Sequence, residues 1–474
     1  MGMKGIRWAV RLRSRPWLPC WLGILASALW LAAADDAGSP GAVRKNSLVW
    51  VGHFDPELNY LSARALLQFD PSSPERRIWL ADGLRLESVR GAASPVVIDH
   101  GAARQCLFRG ASDNELEVSY SGRLPDIPDP ASAFADRAAP LTEVQLDRFI
   151  YLSCVKDFYP HAGMDFGSVL LNITVPNGWN CLGSGILRRV EPRQELTNYE
   201  FDNAGGRGMS LVFGHFGSIG SLQAFIPVRM HGWPSFNSNW YFPHEDILRL
   251  LDFYHERFGP LDLPELNILF QRGRRFGGVS YSGLVILEVD SSWSSFSIQT
   301  RKNIRSHSPL SFFDAKTDVL SHELAHQWWG GLVSWKTPQE NWISEGLATY
   351  SSLISLRAWR GEKPFRRALA RLRSQVKSYA EQGAPAGGSG FALLNRDRKA
   401  YQAVVYGKPA LMLAALADRI GEQELCARLR AILSQHRRRN LNTSDFLQWL
   451  SGGDDSLLLW LKTWICERGL PGEK

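Results

Sequence analysis

The dominant hydrophobic period of this 474-residue chain changes between residues 230 and 244, and that change limits the folds open to it. Before it, short apolar runs alternate with polar positions and stop at turn residues. One run is "ELEVSYSGRL" (115–124), and another is "SVLLNITVPNGW" (168–179), which closes on Pro-Asn-Gly. Runs of this kind predict short β-strands joined by tight turns, so we expect the first half to be β-rich.

After residue 244 the apolar residues follow helical spacing. The segment "EDILRLLDFYHERFG" (245–259) repeats them three and four positions apart and ends at glycine, as a helix does. Strand-like runs return between residues 265 and 290. Beyond residue 314 we expect mainly helix, including helices at 314–330 and 444–466.

The two patterns together predict an α+β multidomain protein, because a chain of this length exceeds one ordinary core. We place the boundary near residue 235, with a β-rich domain at 35–235 and a second domain, mainly helical in its later part, at 236–474. The composition, 45% hydrophobic and 21% charged, is that of a globular protein.

Residues 1–34 differ from the rest of the chain. A basic head without acidic residues precedes an apolar run from Trp17 to Ala34, which closes on Ala32 and Ala34 at an A-x-A spacing. This is the layout of a secretory signal, so we expect a periplasmic or extracellular protein. The alternative is a retained membrane anchor, since about 18 apolar residues approach the length that spans a bilayer.

The basic head also accounts for most of the net charge. The whole chain carries +7 and the head carries +5, which leaves about +2 for the remainder. We therefore expect no nucleic-acid partner. Five cysteines follow the signal segment, and their spacing does not determine any pairing.

The segment "DVLSHELAHQWWGG" (318–331) has the spacing of a metal site. On a helix His322 and His326 lie one turn apart on one face and can both reach one Zn²⁺ ion. Catalytic zinc takes three protein ligands and keeps one position open. Glu323 follows the first histidine, where it can act as general base without ligating. The alternative is an amphipathic helix with two surface histidines.

A third ligand is available in "QENWISEGLATY" (339–350). Glu345 is flanked by Trp342, Ile343 and Leu347, which favours a buried position. A buried carboxylate needs a partner because a bare buried charge is costly, and a metal ion provides one. The alternative is an exposed helical glutamate.

These segments resemble the gluzincin aminopeptidases, a family that includes aminopeptidase N and leukotriene hydrolase. The resemblance rests on H-E-x-x-H followed, eighteen residues later, by the glutamate of W-I-S-E-G-L-A-T-Y. It implies a thermolysin-like catalytic domain after a β-rich domain, and a peptide or protein substrate. It also implies one Zn²⁺ held by His322, His326 and Glu345, with Glu323 as general base.

The resemblance further implies a catalytic tyrosine in a Y-x-K-[GP] segment. "AYQAVVYGKPALML" (400–413) places Tyr406 and Lys408 there. A phenol beside the zinc can donate a hydrogen bond to the oxyanion of a tetrahedral intermediate. The alternative is a core tyrosine at the start of a helix.

One segment departs from the family pattern. Members of the family hold the substrate's amine with the glutamate of a G-x-M-E-N segment, and this chain reads "FGGVSYSGLVIL" (276–287). Gly277 and Gly278 are kept, while Ser280 replaces the glutamate and Tyr281 the asparagine. We predict that these four residues contact substrate, although a serine hydroxyl cannot pair an ammonium group as a carboxylate does.

The sequence therefore predicts a zinc metallopeptidase, with release of N-terminal residues as the first hypothesis. Ser280 favours a second one, a peptidase with endo specificity or one for blocked N-termini. The third hypothesis is a zinc-stabilised binding module without turnover. The presence of both Glu323 and Tyr406 argues against the third, because binding alone requires neither.

Overall fold

The computed structural model describes residues 46–69, 76–92, 95–99, 103–108, 114–124, 149–152, 158–161, 166–203, 208–232, 244–272, 277–289 and 315–471. The predicted signal segment, residues 1–34, lies outside the described residues. Within these ranges no helix combines the length and apolarity that crossing a bilayer requires. The cysteines in these ranges are free thiols, namely Cys106, Cys181, Cys426 and Cys466.

The first half of the described chain consists of β-strands. They are β1 (Asn46–Asp55), β2 (Tyr60–Gln68), β3 (Arg76–Ala81), β4 (Leu84–Arg90), β5 (Val96–Asp99), β6 (Ala103–Phe108), β7 (Glu115–Arg123), β8 (Ile150–Leu152), β9 (Phe166–Pro176), β10 (Asn180–Gly183), β11 (Ile186–Pro192), β12 (Leu196–Asn203) and β13 (Leu211–Gly214). The β-rich prediction is confirmed.

The largest sheet has the strand order β11-β12-β9-β1-β2-β7-β4. Strands β1 and β9 pair in parallel, and the other neighbours are antiparallel. Buried and more exposed residues alternate along β2 and β7, as expected for a sheet with one face on a core. Trp50, Phe54 and Tyr120 fill that core.

A five-stranded sheet combines two strands that precede residue 235 with three that follow it. Its strands are β14 (Gly217–Gln223), β15 (Pro227–Gly232), β16 (Leu266–Arg272), β17 (Gly278–Tyr281) and β18 (Leu284–Val289), in the order β14-β15-β16-β18-β17. Strands β15, β16 and β18 are parallel, and β17 forms an antiparallel edge. The predicted division at residue 235 assigns β14 and β15 to the first domain, whereas their hydrogen bonds join them to strands of the second.

The later part of the described chain is mainly helical, as the residue spacing predicted. Its helices are α1 (His244–Phe258), α2 (Ala315–Ala325), α3 (Trp342–Arg360), α4 (Glu362–Tyr379), α5 (Gly388–Ala392), α6 (Arg398–Tyr401), α7 (Lys408–Ile420), α8 (Glu422–Gln435), α9 (Thr443–Ser451) and α10 (Asp455–Ile465). A short parallel pair, β19 (Val333–Trp335) and β20 (Arg439–Leu441), lies among them.

Two of the predicted helices were too long. The helix expected at 314–330 ends at Ala325, and the chain then turns through Gly330, whose φ is +118°. The helix expected at 444–466 is divided in two. Gly452 takes a left-handed conformation after α9, and the Asp454 side chain accepts a hydrogen bond from Leu457 N to cap α10.

The five-stranded sheet has an apolar core on each face. Val285 and Leu287 belong to the large core that the helices fill. Leu284 and Ile286, which alternate with them along β18, pack instead with a smaller cluster that includes Val212 of β13. Helix α2, which carries His322 and leads directly into His326, therefore lies on one face of the sheet and the β-rich half on the other.

Candidate active site

The two histidines of the predicted metal site meet at the end of α2. His322 lies in the last turn of the helix, and the amide of His326 still donates to His322 O at 3.2 Å. One helical turn therefore separates them. Their Nε2 atoms are 3.0 Å apart, so the two imidazoles face a common point. The surface-helix alternative does not explain this arrangement, because exposed imidazoles have no reason to converge.

Glu345 reaches the same point from the first turn of α3. Its Oε2 lies 3.2 Å from each of the two histidine Nε2 atoms. All three ligand atoms lie within 4.8 Å of one another. Around a tetrahedral zinc ion with bonds of about 2.0–2.1 Å, neighbouring ligand atoms are about 3.3 Å apart. The cluster thus fits a single Zn²⁺ ion.

The charges of the cluster are also those of a site that can hold a cation. Burial alone would lower the pKa of His326, yet the neighbouring Glu345 carboxylate raises it to about 9. Burial would raise the pKa of Glu345, but His326 and then His322 lower it well below the usual range. Without a metal, a proton on imidazole balances the carboxylate. Two neutral imidazoles and one carboxylate are the donor set that catalytic zinc takes.

Two oxygen atoms contact His326 on the side of the ring away from the cluster. Its Nδ1 lies 2.9 Å from Trp329 O and 3.0 Å from Ser344 Oγ, and the Ser344 hydroxyl donates to Trp329 O at 2.7 Å. A proton on Nδ1 leaves the Nε2 lone pair for the metal, which is the usual arrangement of metal-binding histidine. A Cβ at position 330 would lie 2.6 Å from Ser344 Oγ, so this packing requires Gly330.

Glu345 is supported by residues that sequence reasoning missed. Asn341, which precedes α3, has its Nδ2 3.4 Å from Glu345 Oε1 and donates to the Tyr401 hydroxyl at 3.0 Å. Burial, followed by the charge of Glu345, raises the pKa of Tyr401. No local sequence signal indicated this role, because a spacing of five residues places Tyr401 and Tyr406 on different faces of an ordinary α-helix.

Tyr406 is brought to the cluster by a π-helical turn, residues 402–407, which leads into α7. Its ring stacks on that of His322, with centroids 5.8 Å apart and an angle of 13° between the planes. Burial and then the Glu345 charge raise its pKa, so the hydroxyl keeps its proton and remains a donor. Lys408, by contrast, is fully buried and donates to Glu467 O at 2.7 Å, toward the C-terminal segment.

Glu323 lies beside the cluster without joining it. The side chain is 7% exposed, and its Oε2 accepts a hydrogen bond from Ser280 Oγ at 2.7 Å. Burial raises the pKa of this carboxyl, and His326 and then His322 oppose that shift. A buried carboxylate with a raised pKa is suited to take up a proton near neutral pH.

Strand β17 brings two of the four predicted substrate residues to Glu323. Ser280 and Gly278 lie on the face toward α2, where a Cβ on Gly278 would come 2.5 Å from Glu323 Cγ. Tyr281 points to the other face and packs with the smaller cluster, while its carbonyl accepts from Gln327 Nε2 at 3.1 Å. A Cβ on Gly277 would meet Glu288 Oε2 at 3.6 Å. Substrate contact by these four residues stays a prediction.

Comparison with known proteins identifies the region that carries this site. A family model described as the Peptidase family M1 domain matches residues 244–464, from the first residue of α1 into α10. The match therefore includes α2, α3 and the π-helical turn.

Curated relatives match at low identity. Endoplasmic reticulum aminopeptidase 2 of Bos taurus is 26% identical over 244 residues, covering 49% of this chain and 24% of that protein. Probable aminopeptidase 1 of Sulfurisphaera tokodaii is 22% identical over 417 residues, covering 82% of this chain and 49% of that protein. The chain thus spans about a quarter to about half of the length of these relatives.

Solved structures match over most of the chain. An M1 zinc metallopeptidase from Deinococcus radiodurans superposes with a TM-score of 0.67 at 17% identity, covering 90% of this chain and 95% of that one. Yeast LTA4 hydrolase superposes with a TM-score of 0.68 at 14% identity, covering 91% of this chain and 69% of that one. At such identities the likeness shows the fold, and the predicted fold class is confirmed.

Proposed function

We propose that this chain, whose residues 244–464 match the Peptidase family M1 domain, is a zinc-dependent aminopeptidase of the gluzincin type. It hydrolyses the first peptide bond of peptide substrates. The observation that carries the proposal is the convergence of His322, His326 and Glu345, with Glu323 and Tyr406 beside them.

His322, His326 and Glu345 would hold the metal. When bound, Zn²⁺ supplies Lewis acidity, which lowers the pKa of water and polarises a carbonyl group. Glu323 takes the proton of the attacking water and passes it to the leaving amine, as its buried position and raised pKa allow. The Tyr406 hydroxyl donates a hydrogen bond to the oxyanion of the tetrahedral intermediate.

Strand β17 is one of the two edge strands of its sheet within the described residues. Its outer edge can pair with an extended peptide by strand addition, which would present the scissile bond to the cluster. Backbone pairing of this kind does not depend on the glutamate that Ser280 replaces.

The experiment that tests the proposal is an assay of the zinc-loaded protein with three substrate types. They are aminoacyl-arylamides, the same compounds N-acetylated, and an internally quenched peptide blocked at both ends. We expect hydrolysis of the free-amine compounds alone, and its loss in Glu323→Gln, which should keep stoichiometric zinc because Glu323 is not a ligand.

Cleavage of the blocked peptide in preference to the arylamides would replace the aminopeptidase proposal with altered specificity. Absence of hydrolysis of all three by a correctly folded, zinc-loaded protein would favour the binding module. Wild-type rates in Glu323→Gln would overturn the assignment of the base.

We also propose that residues 1–34 direct export of the chain, on the strength of their basic head, apolar run and A-x-A ending. The full chain, expressed in a host with an intact secretion pathway, should have a mature N-terminus at Asp35 by mass spectrometry. A protein found in the membrane fraction with residues 1–34 retained would indicate an anchor. Uncleaved protein in the cytosol would contradict export.

A further inference from the structure

We propose that Ser280 is a positioning residue for Glu323: its hydroxyl holds the general base in place, a role different from that of the glutamate found at this position in the family. The inference rests on the proposed function, since it concerns the same site. It assigns Ser280 to the catalytic carboxylate and removes it from the set of substrate-amine contacts.

The geometry of the hydroxyl supports this role. Ser280 Oγ lies 2.7 Å from Glu323 Oε2 and 2.8 Å from the backbone oxygen of the same residue. A serine hydroxyl has one proton to donate, and both oxygens that receive it belong to Glu323. That donor is therefore already committed when a substrate arrives.

The backbone of β17 reinforces the contact. Gly278 lies two residues earlier on the same face of the strand, and a Cβ there would come within 2.8 Å of Glu323 Cδ and Oε1. The carboxylate thus packs directly against the strand, with Gly278 providing space and Ser280 a hydrogen bond. Gln327, from the turn after α2, also joins β17 to this helix, because its side chain bonds Tyr281 O and Gly283 N.

This contact has a catalytic meaning because a general base must present its oxygen in a defined direction. A carboxylate on a flexible side chain loses rate when its orientation spreads, and a displacement of about 1 Å can cost about 100-fold. Charge-assisted hydrogen bonds are the stronger and more directional kind. A glutamate at position 280 would instead put a second negative charge beside the first.

The test is Ser280→Ala in the zinc-loaded protein, with Ser282→Ala in the turn after β17 as the matched control. We expect kcat to fall about 10- to 100-fold, as for the loss of one hydrogen bond to a charged group, with KM changed less than about twofold. Ser282→Ala should behave as the wild type. Zinc content and Tm, measured on both variants, should match the wild type.

A double-mutant cycle separates positioning from a general structural role. If Ser280 acts through Glu323, adding Ser280→Ala to Glu323→Ala should not lower the residual rate further. A crystal structure of Ser280→Ala gives a readout independent of activity, and in it the Glu323 carboxylate should have left its place beside Gly278.

The inference is overturned if kcat of Ser280→Ala equals that of the wild type, if KM alone rises, or if the two substitutions reduce the rate additively. An unmoved Glu323 in the crystal structure would also overturn it. These failures differ from failure of the proposed function, which would show as absence of aminopeptidase activity in the wild-type protein itself.

Discussion

Two regions of the site can be compared with the aminopeptidase sequence pattern: the helical segments that carry the candidate metal ligands, and strand β17, which faces them. The helical segments keep the pattern more completely. On α2, α3 and the π-helical turn, every residue predicted for the metal or for catalysis lies at the cluster. On β17, only Gly278 and Ser280 do, and they contact Glu323. The residues expected to carry out hydrolysis thus all lie at one place, whereas the segment expected to hold a substrate amine differs from the family pattern at Ser280 and Tyr281.

Physical chemistry explains why the two sides can diverge. A metal site tolerates few changes, because each ligand is needed to balance charge in a buried place. A strand edge binds peptide through its backbone, so its side chains can change without loss of that pairing. Ser280, which replaces the family's glutamate on β17, is an example of such a change.

The largest expected effect is on the metal side. Glu345→Gln replaces the anionic ligand by a neutral amide, and we expect zinc affinity to fall by more than the roughly 100-fold seen for residues that merely support a ligand. Turnover should be lost with the metal. Zinc content after dialysis measures this, with Glu362→Gln on the exposed first turn of α4 as control. A Glu345→Gln protein that retains stoichiometric zinc would contradict the assigned ligand set.

Tyr406→Phe should lower kcat about 100- to 1000-fold while zinc content and KM stay near wild-type values, because the hydroxyl acts on the oxyanion alone. Steady-state kinetics with an aminoacyl-arylamide provide the measurement. Tyr379→Phe, at the end of α4, is the control. Unchanged kcat would return Tyr406 to the core-tyrosine interpretation.

On the β17 side of the site, Gly278→Ala should lower kcat by up to about 100-fold. A Cβ 2.5 Å from Glu323 Cγ must displace the general base. Gly277→Ala is the matched substitution one residue earlier, where the nearest atom is 3.6 Å away, and its effect should be much smaller. Equal losses in the two variants would mean that packing against Glu323 is not what matters on β17.

The smallest expected effect concerns a residue that supports one of the candidate metal ligands. Ser344→Ala removes the hydroxyl beside His326 Nδ1, and zinc should dissociate about tenfold more readily, with kcat unchanged at saturating zinc. Competition with a chelator measures the affinity. Ser351→Ala is the control, because that hydroxyl donates to Leu347 O two turns further along α3. Equal zinc affinities for Ser344→Ala and the wild type would assign Ser344 to packing alone.

Local sequence signals predicted much of the fold and of the metal cluster. The spacing of His322 and His326 is sufficient for one helix face, and the apolar flanks of Glu345 were sufficient for a largely buried position. The signals that divide the last predicted helix were also present, since Gly452 and Gly453 precede Asp454, which caps the next helix. Helical periodicity continues across such a break and conceals it.

Other features depended on distant contacts. Tyr401 and Tyr406 lie roughly 140° apart on an ordinary α-helix, so spacing argued against a shared site. The π-helical turn changes that angle and brings their ring centroids within 5.9 Å. Likewise, nothing in the order of residues indicated that Ser280 would meet Glu323, which lies 43 positions further along the chain.

By itself, the sequence determined the β-then-helical organisation and the set of candidate zinc ligands, because both depend on periodicities of a few residues and on the chemistry of single side chains. Only the tertiary structure decided that β17 turns Ser280 toward the general base, and that Asn341, Ser344 and Tyr401 support the cluster. The reason is that the deciding contacts, Ser280 with Glu323 and Asn341 with Tyr401, join residues 43 and 60 positions apart, where direction is set by the packing of whole elements against one another.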